Sequence, residues 1–165
     1  PRRTTFFGAI GEDEFGEQMR KKAAENRVNA SYHVVSDTPT GTCACLITGK
    51  HRSLCAYLGA SQKFHLQHLK DNIQWVKNAK ILYTTGFHSM VCPEAQQLLA
   101  EHAHTHEGKI FSMNLSAPYI PAVCAKQFEQ LLPYVDLLFG NETEAQAFAD
   151  VKGWQVRSDR KCPKT

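Results

Sequence analysis

The sequence predicts an α/β protein, with a doubly wound parallel sheet and a small antiparallel β lid. Three observations predict it. Residues 66–149 alternate helical and strand patterns without a break, as chains do when helices cross over a parallel sheet. Residues 31–60 interrupt that rhythm with short strands and turn signals. The three strands of the alternating stretch end in Gly86-Phe87-His88, Asn114-Leu115-Ser116 and Gly140-Asn141-Glu142, and ligands gather at such C-terminal strand ends in open α/β sheets.

Each element has a local reason. Residues 4–10 are an apolar strand closed by Gly11. Residues 12–27 are a helix: Phe15, Met19 and Ala23 recur every four positions, acids lead and Arg20-Lys21-Lys22 follow, in line with the helix dipole. Residues 31–35 are a short strand, and Pro39-Thr40-Gly41 is a turn. Residues 42–48 and 53–58 are strands around the turn Gly49-Lys50-His51-Arg52. This stretch is antiparallel in character, and 31–60 would form a small sheet standing off the main body as a lid. Leu66, Leu69, Ile73 and Val76 mark one helix by their spacing. A strand follows at 79–84. Pro93 opens a helix from its first position, carrying Ala95, Leu98, Leu99 and Ala103 to a stop at Gly108. A strand at 109–115, a helix from Pro121 to Leu131, a strand at 135–139 and a helix from Thr143 complete the pattern. Residues 154–165 are polar and unpatterned and read as a frayed tail.

The bulk numbers exclude several classes. A chain of 165 residues, 42% hydrophobic and 21% charged, is long enough for one domain with a real core. Its net charge of +3, from 19 basic and 16 acidic side chains, is too small to argue for nucleic acid or a membrane surface. No apolar run reaches the length of a membrane span. Six cysteines without a C-x-x-C pair and without a leader fit a reducing compartment, cytoplasmic or nuclear. Without a secretory signal the N-x-[ST] triplets at Asn29, Asn114 and Asn141 are coincidental. Pro1 leads almost at once into the apolar Phe6-Phe7, which reads as a piece of a longer chain.

Among the motifs, no G-x-x-x-x-G-K-[ST] loop, G-x-G-x-x-G turn or G-x-S-x-G elbow occurs. His102 and His106 stand four apart on one helix and could chelate a metal, but a helix end is also an ordinary home for histidine. Cys92, just before Pro93, could be somewhat acidified or an ordinary thiol. Arg52 could reach a phosphoryl group with its planar fork, or be a charged turn residue. Asn141 and Glu144 have two readings. They form a helix capping box, or an N-x-x-E turn in which the carboxylate holds hydrated Mg²⁺ and the amide meets a water or phosphate oxygen.

Five strings, in order, carry a resemblance: Phe6-Phe-Gly-Ala-Ile-Gly-Glu-Asp-Glu-Phe-Gly16, Pro39-Thr-Gly-Thr-Cys-Ala-Cys45, Arg52-Ser-Leu54, Asn114-Leu-Ser-Ala-Pro118 and Leu138-Phe-Gly-Asn-Glu-Thr-Glu-Ala145. The chain resembles the adenosine kinases of the ribokinase (PfkB-type) carbohydrate kinase superfamily, from about Thr4 to Gly153. The resemblance implies a partial ribokinase-like kinase domain over 1–165, with lid strands near 31–60 and a divergent tail at 154–165. It implies transfer of the ATP γ-phosphoryl group to the 5′-hydroxyl of adenosine with Mg²⁺, in a monomer. Cys43, Leu54, Ala56 and Leu58 would line the apolar side of the nucleoside pocket, with Phe87 against adenine. Arg52 would approach the phosphates. Asn114, Asn141 and Glu144 would organise ATP and Mg²⁺, Glu144 through water. The family's D-T-x-G-A-G-D motif, with its catalytic base and anion hole, and its N-terminal sugar-binding Asp and paired glycines have no match here. The chain reads as the middle half of the family's chain, inactive alone, and one alternative is a non-catalytic piece that acts at most as a nucleoside- or partner-binding module. A kinase for another nucleoside or a sugar is the remaining alternative.

Overall fold

A computed structural model describes residues 4–155. The chain divides into two units, Pro1–Trp75 and Val76–Thr165.

In the first unit, β1 (Thr5–Gly11) pairs with β2 (Asn29–Val35) in parallel, joined by α1 (Glu14–Glu25). Helix α1 starts where Asp13 caps it, its side chain accepting from the Gly16 amide. It stops where Arg27 turns left-handed at φ 57° and the Val28 amide reaches back to the Ala23 carbonyl at 2.9 Å, a common helix-ending bond. β3 (Thr42–Thr48) and β4 (His51–Tyr57) form an antiparallel hairpin, exposed on both faces. The predicted sheet over 31–60 is thereby corrected. β2 pairs with β1 and only 42–57 makes the hairpin. The predicted turn shrinks too. Gly49 takes φ 60°, as a two-residue hairpin turn led by glycine requires, so His51 and Arg52 belong to β4.

The expected helix from Leu66 is two pieces, α2 (Leu66–Asp71) and α3 (Ile73–Asn78). Asn72 between them donates from Nδ2 to the His68 carbonyl at 2.9 Å, a side-chain bond that competes with helix propagation. Above β1 and β2, His68 Nε2 lies 3.0 Å from the Ser31 carbonyl, and the His33 ring lies 4.2 Å from His65 and 5.6 Å from His68. Burial, then the two neighbouring imidazoles, hold His33 below the usual histidine value.

In the second unit, β5 (Ile81–Thr85), β6 (Ile110–Asn114) and β7 (Leu137–Phe139) form a parallel sheet in that order. The crossovers are α4 (Pro93–Thr105), then α5 (Ile120–Val123) and α6 (Ala125–Leu131), broken at Cys124 where the sequence predicts one helix. α7 (Glu142–Lys152) follows β7. Phe111, Met113, Ile120 and Phe128 are fully buried, and Phe128 and Phe148 rings lie 6.0 Å apart. Gln96 is buried with full employment, receiving from the Ser89 hydroxyl and donating to Thr84 Oγ1 and the Thr85 carbonyl. Gly153 closes α7 at φ 65°, and the Trp154 amide donates to the Ala149 carbonyl at 2.9 Å. Trp154 packs its ring edge-on against Phe148, so the reading of 154 as the start of a frayed tail is corrected. The remainder of that predicted tail, 156–165, lies outside the described residues.

Candidate functional site

The first unit is organised around Asp13. Its carboxylate accepts from the Thr40 amide at 2.7 Å, the Thr40 hydroxyl at 2.6 Å and the Gly16 amide at 2.9 Å. The Thr40 hydroxyl in turn accepts from the buried Gly11 amide at 2.9 Å. The Thr40 hydroxyl first, then the backbone donors, hold the Asp13 carboxyl below its usual value. The G-x-I-G-x-D-x-F-G string therefore ties the end of β1 and the start of α1 to the loop that feeds the hairpin. Its glycines are required by contact. A Cβ on Gly11 would lie 2.6 Å from the Thr38 carbonyl oxygen, and one on Gly16 would lie 2.5 Å from that of Gly11. The other foot of the hairpin is pinned alongside, where the Ala60 amide donates to the Pro39 carbonyl at 2.8 Å. Sequence reasoning missed Asp13 and Thr40 as a pair because they are 27 residues apart. We expect Thr40→Val to destabilise this unit by about 1–3 kcal/mol, since it leaves a buried amide without an acceptor. Urea midpoints of the Val and Ser variants would check it, with Ser close to the parent.

On the hairpin, Cys43 pairs with Ala56, Cys45 with Leu54 and Ile47 with Arg52. Directly opposed residues share a face, so Cys43, Leu54, Ala56 and Arg52 stand together on one apolar face with a cation at its tip. Leu58 lies just past the end of β4.

In the second unit, Asn114 ends β6. Its Oδ1 accepts from the Gly86 amide at 3.0 Å and the Ser116 hydroxyl at 2.6 Å. Both acceptor positions of that oxygen are thus used locally, and a ligand contact falls to its amide nitrogen. Ser116 sits at φ 68°, left-handed for a non-glycine, and its hydroxyl also meets the Phe87 amide at 3.4 Å. Phe87 lies half-exposed on the turn after β5. After β7, Asn141 and Glu144 make a complete capping box. The Glu144 amide donates to Asn141 Oδ1 at 2.8 Å, and the Asn141 amide and Nδ2 donate to the two Glu144 oxygens, each at 3.1 Å. The structural reading of this pair is thus realised. It also leaves both side chains exposed at a helix N-terminus, where anions are favoured. Asn114, Asn141 and Glu144 border one groove of about 670 Å³, floored by Ile81, Tyr83, Ser112, Leu137, Phe139 and Gly140.

The other candidates do not build sites. His102 and His106 stack at 4.0 Å, but His106 Nδ1 is bonded to the His102 carbonyl. Burial, then His106, Lys109 and Lys77, hold His102 below its usual value. Among the described residues no group of three or more His, Cys, Asp or Glu is placed to hold a metal. Cys92 is buried, and among the described residues Cys43, Cys45, Cys55, Cys92 and Cys124 form no disulfide. No helix among the described residues is long and apolar enough to cross a membrane.

Comparison with known proteins is decisive on the family. The model of the pfkB family carbohydrate kinases matches residues 2–164. The chain belongs to that family. It is 44% identical over 158 residues to adenosine kinase 2 of Arabidopsis thaliana, covering 94% of this chain and 46% of the relative. It is 41% identical over 145 residues to adenosine kinase of Saccharomyces cerevisiae, covering 88% and 42%. The crystal structure of Anopheles gambiae adenosine kinase in complex with P1,P4-di(adenosine-5) tetraphosphate aligns with TM-score 0.88 and 42% identity, over 93% of this chain and 45% of that one. The Schistosoma mansoni enzyme with 2-fluoroadenosine aligns with TM-score 0.84 and 30% identity, over 94% and 45%. The chain thus spans slightly under half the length of these relatives, and the pfkB-type α/β fold expected from the sequence is the fold found.

Proposed function

We propose that this chain is part of an adenosine kinase, which transfers the γ-phosphoryl group of ATP to the 5′-hydroxyl of adenosine and releases AMP and ADP. The observation that carries this reading is the similarity to adenosine kinases across nearly the whole chain, at 44% and 42% identity. The local geometry supports it. The hairpin face of Cys43, Leu54 and Ala56, with Leu58 beyond it, offers an apolar wall to a nucleoside, and Phe87 offers a ring to a purine. Arg52, on the same hairpin face, carries the guanidinium suited to phosphate oxygens.

Mg²⁺ and ATP fit the donor set of the second unit. Magnesium keeps most of its waters and is held through one or two carboxylates plus substrate phosphates. Glu144 offers one exposed carboxylate whose oxygens already accept from Asn141, which suits contact through water. When bound, the ion would neutralise charge on the phosphates. Asn114 and Asn141 would orient phosphate oxygens or waters, and the rest is alignment of donor and acceptor. We place the whole enzyme in the cytoplasm or nucleus, where free thiols persist.

The test replaces the matched segment of Arabidopsis adenosine kinase 2 with this chain. We expect the chimera to form AMP from adenosine and ATP in a coupled assay, and Glu144→Gln to lower kcat at least tenfold. Consumption of another nucleoside or a sugar, with no AMP, would overturn the reading.

A further inference from the structure

The loop that leaves β6 is strained at a serine. Ser116 takes φ 68°, and the Ala117 amide donates across it to the Leu115 carbonyl at 2.8 Å. Such a bond around a left-handed residue is the rare, strained form of the γ-turn, a conformation that glycine adopts without steric cost. A non-glycine residue persists there only where its surroundings hold it, and such residues cluster at functional sites. The side chain supplies the hold. The Ser116 hydroxyl has one proton, and it goes to Asn114 Oδ1 at 2.6 Å. Its oxygen can then accept from the Phe87 amide, 3.4 Å away. Asn114 Oδ1 takes its second bond from the Gly86 amide at 3.0 Å. The junction is tight. A Cβ on Gly86 would lie 2.8 Å from both the Asn114 and Leu115 carbonyl oxygens, and the Leu115 amide is tied to the Phe139 carbonyl at 2.8 Å.

Two donors on one oxygen fix the orientation of the Asn114 carboxamide. Oδ1 is turned to the end of β5 and to its own loop, so Nδ2 is the end left over, and Asn114 lines the groove that it shares with Asn141 and Glu144. A glycine in place of Ser116 would make the same turn but leave Oδ1 held by the Gly86 amide alone. We propose that Ser116 is a positioning residue, whose hydroxyl locks Asn114 Oδ1 against the Gly86–Phe87 turn so that Nδ2 is presented as a donor to phosphates at the Asn141–Glu144 rim. Ser116 thus acts through Asn114. A donor fixed in advance lowers a barrier because it needs no reorganisation during the transfer. The phosphate part of this inference rests on the adenosine kinase reading, whereas the locking of Asn114 does not.

The test compares Ser116→Gly, which keeps the turn, with Ser116→Ala, which keeps the Cβ, in two settings. In the full chain, isotope-labelled at asparagine, nuclear magnetic resonance reads the side-chain amide of Asn114, assigned by its loss in Asn114→Ala. That resonance should stand apart from those of exposed asparagines in the parent and move toward them in both variants. In the Arabidopsis chimera each variant should lower kcat roughly tenfold to a hundredfold, as misplacing a positioned group does, with KM for adenosine changed less than about threefold. On an Asn114→Ala background the same substitutions should cost less than about twofold, since residues that act as one unit are not additive. An unchanged Asn114 resonance in both variants, rate losses that add to that of Asn114→Ala, or a loss confined to the adenosine KM would each overturn the proposal. If Ser116→Ala does not fold, Ser116→Gly carries the test, because glycine suits the turn. A parent chimera that makes no AMP would overturn the functional reading instead, and the resonance would still decide the locking.

Discussion

Purified alone, with adenosine and Mg²⁺-ATP in excess, this chain is expected to form AMP no faster than on the order of 10⁻³ s⁻¹. The reasoning starts from a typical kcat of about 10 s⁻¹. A positioned general base contributes roughly 10²–10⁴-fold, and an oxyanion-type hole roughly 10²–10³-fold more. By resemblance, both functions reside in the D-T-x-G-A-G-D motif, and no such string occurs in the 165 residues. Removing both should cost on the order of 10⁴–10⁷ in rate. On the proposed reading, this chain supplies the positioning half. It has the hairpin face with Arg52 at its tip, and in the second unit the Asn114, Asn141 and Glu144 rim. A luminescent AMP assay with long incubation reads the result. Faster turnover from purified chain, abolished by Glu144→Gln, would show that the base lies within these residues.

That division of labour also explains what could be read from the letters and what could not. β3 is found over the predicted residues, and α4 opens at Pro93 as predicted, because a short apolar run between turn signals and a proline at the first helical position are local signals. The Asn141–Glu144 turn was legible for the same reason: the cap is formed, and both side chains stay exposed. Strand pairing was not legible. Nothing in residues 31–35 states that β2 joins β1 in parallel rather than the hairpin beside it in sequence. The Asp13–Thr40 link was hidden for a similar reason, since a carboxylate and a hydroxyl far apart in sequence carry no periodicity. The helix break at Asn72 turns on one side-chain bond to the His68 carbonyl. The exposed face of the β5–β6–β7 sheet was hidden as well. The letters mark 79–84 as a strand but not which side of it is packed, and only the fold shows Leu82 buried while Ile81 and Tyr83 are exposed.

The two faces of that sheet should answer mutation very differently, and this is the second large effect. Phe111→Ala is expected to destabilise the second unit by about 3–5 kcal/mol, the usual cost of deleting a fully buried aromatic ring and leaving a cavity. Phe111 is 0% exposed on the central strand. Its amide donates to Asp136 Oδ2 at 2.8 Å, and the Asp136 amide returns a bond to its carbonyl at 2.9 Å. The backbone is thus held through both its amide and its carbonyl and has little freedom to collapse into the void. Tyr83→Ala, one strand away but on the uncovered face, should cost no more than about 0.5 kcal/mol, as exposed substitutions do. For a unit of this size, a loss of 3 kcal/mol or more lowers the melting midpoint by roughly 10 °C or more, so thermal melts of the two variants separate the cases. Similar losses at both positions would mean that Tyr83 is already packed in the isolated chain, and that the face reads as bare only in part. A large gap between them is what a sheet packed on one face and exposed on the other requires.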